Sequence, residues 1–452
     1  MAGSPRGAGL RVRFWGTRGS IARPGPTTVR YGGNTACVEV RAADGTLVVL
    51  DCGTGAYALG RELANPRSGP VRGHLLIGHT HWDHIQGFPF FEPFFTPEHH
   101  WSVYAPGRSG RQIEETLAGQ MAYEYSPINL EALRARVEFQ DLTEGCLELG
   151  GIRVQTQYLN HPALTLGYRL EADGATLVYA TDHEPHSLHP LGAASGAEPI
   201  HHEDRRHARF LAGADLVIHD AQYTLDEFPE RAGWGHTPAE RAVDYAILAR
   251  AKRLALFHHD PERRDELVDG VVEAARQRAI GAGSALEVFA AAEGQVVELS
   301  GAARQSHRRA IKTNSALLAA KRPRDSVLIV DDDPHLVALL EATLETEGVD
   351  VFTASDGESA LRFAREKRPR LILLDMHLPG RDGLDVCRML RADDAELFAD
   401  VPVLMLTGEK LEEKDLIDAF RAGATDYLTK PIKPTLVRSR VRGWLLRTTA
   451  RP

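Results

Sequence analysis

Four short apolar runs between residues 75 and 258 end in histidine or aspartate. Leu75-Leu76-Ile77 leads into HTHWDH, which holds His79, His81, Asp83 and His84. QYLNHP brings His161, LVYATD brings Asp182, and RLALFHHD brings His258 and His259. An α/β sheet collects side chains from its strand ends along one edge, so four such endings constrain the chain to a layered fold with one shared site. His79 and His81, two apart on an extended stretch, project to the same side, while Asp83 and His84 follow on the turn. One segment can thereby feed two neighbouring ions, and the later strand ends supply the remaining ligands. A single histidine after a strand is an ordinary residue; the recurrence carries the reading. Zn²⁺, Mn²⁺ and Fe²⁺ all suit such a His/Asp set.

At 452 residues the chain is too long for one ordinary core. The net charge of −9 argues against a broad nucleic-acid footprint. Cys37, Cys52, Cys146 and Cys387 are scattered with no CxxC pair, as in a reducing compartment. No 18-residue apolar run suggests a membrane span, and MAGSPRGAGLRVRF lacks a signal-peptide core. The expected location is the cytoplasm. Between Arg304 and Arg324 the chain carries basic residues and no acidic one, so residues 301–325 read as a linker. Residues 10–300 mix strands with helical stretches such as PAERAVDYAILARA and DELVDGVVEAARQRA. Residues 326–448 alternate strand and helix five times, which predicts a doubly wound parallel sheet of (βα)5, flavodoxin-like type.

HxHxDH followed by His, Asp and His resembles the metallo-β-lactamase-fold hydrolases, and RFWGTRGSIARPGPTTVRYGGNTACVEV is similar to their phosphodiesterase-like branch. The resemblance implies an αββα sandwich over about 12–300. It implies that His79, His81 and His161 hold one ion, that Asp83, His84 and His258 hold a second, and that Asp182 bridges them. His258 is preferred to His259 because the family's last ligand follows the apolar strand directly. LVIHDAQYT and GWGHTPAER resemble two further motifs of that branch, including the tRNA 3′-end endonuclease, in which Asp220 and His236 would form a proton-transfer pair. Asp83 would orient the attacking water as well as bind metal. The endonuclease's long Gly/Pro-rich arm has no counterpart between His84 and His161, so a small phosphodiester is the expected substrate. Asp51 reads as a structural turn residue near the site. His74, His99, His100, His183, His186, His189, His201 and His202 read mostly as loop histidines.

In the second segment, Asp331 and Asp332 end the first strand, Asp375 the third, Thr407 the fourth and Lys430 the fifth. Parallel strands bring these ends to one edge. Converging carboxylates need a cation, and all-oxygen ligands suit Mg²⁺. Asp375 is placed to act as a nucleophile toward a phosphoryl group. The motifs DD, DMHLPGRDG, the Thr and KP resemble response-regulator receiver domains. That resemblance implies Mg²⁺ on Asp331, Asp332, Asp375 and the backbone carbonyl of His377. It also implies phosphorylation of Asp375 by a sensor histidine kinase or phosphotransfer protein, and a switch formed by Thr407 and Tyr427 with Lys430. Only TTARP follows the last helical pattern, so no DNA-binding domain is expected and the hydrolase is the natural output. A homodimer is compatible with this organisation. The rival expectation is a metal-binding sensor or partner-binding module on the same fold, with little or no turnover.

Overall fold

The structure is a computed structural model that describes residues 9–65, 67, 69–107, 112–186, 202–300, 325–345, 348–392, 398, 401–408 and 418–449. The chain divides into two units, Met1–Thr313 and Asn314–Pro452. The expected linker at 301–325 lies, but for its last residue, outside the described residues.

Among the described residues the first unit holds fourteen strands in two seven-stranded sheets. β1 (Leu10–Gly16), β2 (Cys37–Arg41), β3 (Leu47–Leu50), β4 (Arg72–Leu76), β5 (His100–Pro106) and β6 (Arg136–Leu142) lie side by side in chain order. The second sheet runs in order through β7 (Gly145–Leu149), β8 (Ile152–Tyr158), β9 (Leu166–Ala172), β10 (Ala175–Ala180), β11 (Leu216–Asp220), β12 (Arg253–Phe257) and β13 (Glu287–Ala290). β14 (Val296–Leu299) returns to pair antiparallel with β1. The sheets meet through apolar rings: Phe14 of β1 and Phe257 of β12 have centroids 6.1 Å apart.

The outer faces are covered by helices. Ala56–Leu63 and Gln112–Gln120 pack on the first sheet, and His202–Phe210, Ala239–Leu248 and Asp265–Gly281 on the second. Strands covered on both faces read as continuous apolar runs, as LVVL of β3 and LVIHD of β11 do, each buried throughout. The edge strand β6, RVEFQDL, alternates in exposure instead. This is an αββα sandwich.

Helix Ala239–Leu248 shows why the local sequence suffices. Ala242, Val243, Tyr245 and Ala246 form its buried stripe at three- and four-residue spacing. Pro238 stands at its N-cap, where its lack of a backbone N–H costs nothing.

The second unit is a five-stranded parallel sheet: β15 (Ser326–Val330), β16 (Asp350–Ala354), β17 (Leu371–Asp375), β18 (Val403–Thr407) and β19 (Asp426–Thr429), in the order β16-β15-β17-β18-β19. Helices Gly357–Lys367 and Gly383–Ala392 pack on one face, Pro334–Glu345 and Pro434–Thr449 on the other. This doubly wound order brings the ends of β15, β17, β18 and β19 to one edge. Of the stretch EKDLIDAFRAGA, residues 413–417 lie outside the described residues, and residues 418–421 are helical. Among the described residues no helix is long and apolar enough to cross a membrane.

Candidate metal centre and phosphorylation site

The strand ends of the first unit converge as their sequence pattern requires. His79 follows β4, His161 follows β8, Asp182 follows β10, and His258 comes directly after β12. All except His81 are buried, as are Asp83 and His84. Asp182 divides its carboxylate between two groups. Its Oδ1 lies 3.8 Å from His79 Nε2 and 3.9 Å from His161 Nε2. Its Oδ2 lies 3.1 Å from His84 Nε2 and 3.4 Å from His258 Nε2. His81 Nδ1 joins the first group, 3.2 Å from His161 Nε2. Asp83 Oδ2 joins the second, 3.0 Å from His258 Nε2. The structure thus brings all seven expected ligands together as two sets sharing one carboxylate. His259 turns away and sets its Nε2 3.0 Å from the carbonyl of Ala291.

The side chains themselves fit metal ions. Both ring nitrogens of His79 are buried and without a hydrogen-bond partner among the described residues. Buried polar nitrogens are ordinarily paired, and an unpartnered lone pair in such a ligand set suits a cation. Burial and the neighbouring His84 hold His79 well below its ordinary pKa, and burial takes His161 down to about 3. Both are therefore neutral and keep a lone pair for a cation. Burial works against the charge of Asp182, but His258, His84 and His79 keep it ionised.

Backbone strain gathers at the same place. Ser20, Asp51, Asp182 and His258 are non-glycine residues with φ of 60–61°. Such conformations cost energy and persist where the surroundings over-determine them.

Several positioning residues escape a reading of the sequence. Asp51 accepts from His84 Nδ1–H at 2.7 Å, from Tyr179 Oη–H at 2.6 Å and from Gly78 N–H at 2.6 Å. It is a turn residue near the site, as expected, with the added work of orienting His84. Gln222 Oε1 accepts from His258 Nδ1–H at 2.9 Å, and Gly235 O accepts from His161 Nδ1–H at 3.0 Å. Glu184 receives the N–H groups of Gly233 and Gly235 at 3.0 and 2.7 Å, which fixes the loop that leads into His236. These partners are 27 to 128 residues apart in sequence, so no local signal marks them.

His236 Nδ1 lies 2.8 Å from Asp220 Oδ2 and 3.8 Å from Asp182 Oδ1. Burial opposes its charge, yet Asp220, by charge and hydrogen bond, raises its pKa to about 9. Its Nδ1–H is committed to Asp220, leaving Nε2 for a substrate.

Of the expected loop histidines, His99, His183 and His186 do lie in loops but are buried, whereas His74 and His100 lie in strands and His202 begins a helix. His183 stacks on His207 with centroids 3.8 Å apart, and His207 Nε2 meets His219 Nε2 at 2.9 Å. Packing across the sheet, unseen in sequence, builds this cluster. His189 and His201 fall outside the described residues, and nothing is described of the His202 side chain.

In the second unit Lys430 Nζ lies 2.9 Å from Asp331 Oδ2 and 3.0 Å from Asp375 Oδ1. Asp332 and His377 are exposed on the adjoining loops. Burial raises the pKa of Asp375. Burial opposes the charge of Lys430, but its two carboxylate partners raise its pKa. Thr407 Oγ1 is buried with no hydrogen-bond partner among the described residues. Tyr427 follows it on the neighbouring strand and is half-buried.

The first unit has the architecture of a metallo-β-lactamase-fold domain, and the second that of a receiver. Comparison with known families agrees. A beta-lactamase superfamily domain matches residues 46–259, and a response regulator receiver domain matches residues 327–442. Each match falls within one of the two units.

The DNA-binding response regulator MtrA of Mycolicibacterium smegmatis is 45% identical over 129 residues, covering 28% of this chain and 54% of MtrA. The chain spans about half the length of the curated relatives it matches. Among solved structures, the metallo-beta-lactamase fold protein YhfI from Bacillus subtilis is 18% identical, covering 64% of this chain and 99% of that one, with a TM-score of 0.45. A diphosphatase from the PhnP family is also 18% identical, covering 64% and 97%, with a TM-score of 0.43.

Proposed function

We propose that the first unit is a dinuclear metal-dependent hydrolase of phosphodiesters, and that the receiver controls it through phosphorylation of Asp375. The division of Asp182 between two ligand sets carries the hydrolase reading. His79, His81 and His161 would hold one ion and Asp83, His84 and His258 the other, with zinc, manganese or iron all suited. Such ions lower the pKa of water and offset charge at a phosphoryl centre.

The chain's own residues do the rest. Asp83 is fixed from outside by the Ser20 N–H at 2.7 Å, so its carboxylate is held in place to orient the attacking water. Asp220 holds His236 protonated and aimed. As the water oxygen bonds to phosphorus and releases its proton to solvent, the P–O bond to the leaving group breaks and His236 gives its Nε2 proton to the leaving oxygen. The Asp220–His236 pair favours an alcohol leaving group, which needs that proton.

In the receiver, Asp331, Asp332, Asp375 and the His377 carbonyl would hold Mg²⁺, which offsets phosphoryl charge during transfer. A phosphohistidine on a kinase or phosphotransfer partner would supply the phosphoryl group to Asp375. Lys430 then pairs with the phosphoryl oxygens, and Thr407 gains the partner it lacks.

The test is steady-state hydrolysis of bis(p-nitrophenyl) phosphate by protein whose metal content is quantified. Wild type turns over; His79→Ala loses both turnover and bound metal. Two ions bound with no turnover on any diester would sink the reading.

A further inference from the structure

The stretch TRGS at residues 17–20 is pinned more firmly than an exposed turn requires. The Arg18 guanidinium is fully buried and donates to the carbonyls of Gly32, Asp260 and Arg263 at 2.8, 3.1 and 2.7 Å. Its Nη2 lies 3.8 Å from Asp265 Oδ1. A buried cation is costly unless it is paired and hydrogen-bonded, and these partners make Arg18 a fixed mount for the residues that follow. Gly19 N–H donates to His259 O at 3.0 Å, and His259 N–H donates to Thr17 O at 3.0 Å. A Cβ on Gly19 would lie 2.3 Å from His258 Nδ1, so the backbone here runs directly against that ring.

Ser20 stands at the end of this mount. It is exposed, and its φ of 61° is one that non-glycine residues seldom adopt. Two bonds tie it to the second ligand set. Its N–H donates to Asp83 Oδ2 at 2.7 Å. Its Oγ accepts from Gln222 Nε2 at 3.2 Å, and Oε1 of the same amide accepts from His258 Nδ1–H at 2.9 Å. The Gln222 N–H donates to Asp220 Oδ1 at 3.0 Å, and Asp220 holds His236. One residue, Gln222, thus links the Ser20 hydroxyl to a metal ligand and to the proposed acid pair. Gln222 fills an acceptor site of the hydroxyl, and among the described residues nothing takes its proton.

We infer that Ser20 is a catalytic residue whose hydroxyl donates a hydrogen bond to a non-bridging phosphoryl oxygen as charge builds there in the transition state. This rests on the phosphodiesterase reading above. The proton stays on Ser20 throughout, and no bond forms between substrate and chain. A donor fixed before the reaction needs no reorganisation when the charge appears, which is the use of the strained and clamped backbone.

The test uses the metal-loaded 452-residue chain with its ions counted. Ser20→Gly keeps the N–H that holds Asp83 and adopts the same φ freely, so only the hydroxyl is lost. Its kcat on bis(p-nitrophenyl) phosphate should fall about 10²–10³-fold with two ions per chain retained. Orthovanadate, which mimics the phosphoryl oxygens, should bind about tenfold more weakly than to wild type by calorimetry. Ser20→Ala should behave alike. An unchanged kcat, a fall matched by loss of metal, or vanadate binding equal to that of wild type overturns the assignment. If wild type cleaves no diester, the phosphodiesterase reading has failed, and vanadate decides Ser20 separately. Weaker binding by Ser20→Gly than by wild type then supports the donor, and equal or absent binding overturns it.

Discussion

The carboxylate of Asp51 lies behind His84 rather than in front of it, with Tyr179 and Gly78 occupying its other lone pairs. A partner of this kind fixes the ring and raises its basicity toward a metal. Asp51→Asn is therefore expected to lower metal affinity about 10–100-fold, read by competition with a metal chelator. Asp220 acts on a different nitrogen and a different step. Asp220→Asn removes the charge that keeps His236 protonated, so kcat falls about 10²–10⁴-fold while the protein still binds two ions per chain. A variant that lost metal in proportion to activity would show that the pair is structural. Gly235 adopts φ +90°, and a Cβ there would overlap the His161 ring. Gly235→Ala should displace His161, and metal analysis should show fewer than two ions per chain; a fully loaded variant would refute this.

Between elements, helix His202–Phe210 and β11 are joined by a buried histidine pair. His219 Nδ1–H donates to Asp220 O at 2.8 Å, so its Nε2 keeps a lone pair and accepts from His207 Nε2–H. Burial, and for His207 the adjacent His219, hold both below the ordinary histidine pKa. A folded pKa below the unfolded one means that the unfolded chain binds the proton more readily. The pair's contribution is intact above about pH 6.5 and is lost as pH falls below it, by up to about 1.4 kcal/mol per pH unit per group. Chemical denaturation at pH 7.5, 6.5 and 5.5 should show a stability loss that is shallower in a His207→Leu/His219→Leu variant; equal slopes would exclude the pair as its source. This element-scale device also marks where the sequence stops being legible. Amphipathic stripes announce helices such as Ala239–Leu248, and strand-end residues announce His79, His161, Asp182 and His258, because both signals are local. His183, His207 and His219 carry no such signal. Three separate segments must pack across one sheet before their rings touch, and the same holds for Gln222 with His258 and Glu184 with Gly235.

At the scale of the whole molecule, one chain joins a fold built around a metal-type ligand set to a receiver in which Asp375, the proposed phosphoacceptor, is paired with Lys430. A phosphoryl group on Asp375 brings further negative charge to a pocket where Asp331 and Asp375 already share one ammonium. It would also supply an acceptor for the Thr407 hydroxyl, which is buried and without a hydrogen-bond partner among the described residues. Thr407 ends β18 beside β19, which carries Tyr427 two residues before the partner of Thr407, and in the proposed switch movement of the hydroxyl would pass to that aromatic side chain. Local charge and packing changes of this kind bias a two-state element, and couplings between sites typically amount to about 5–150-fold. The expectation is a change of that order in hydrolase kcat/KM when beryllofluoride and Mg²⁺ occupy the receiver, without loss of the hydrolase metals. Asp375→Ala should abolish the response, and Thr407→Ala should blunt it while beryllofluoride still binds. The readout pairs diester hydrolysis with analytical ultracentrifugation, because the bias can act through the oligomer as well as within a chain. If beryllofluoride binds in wild type yet moves neither the rate nor the sedimentation, the receiver does not govern the hydrolase, and the two units serve separate partners.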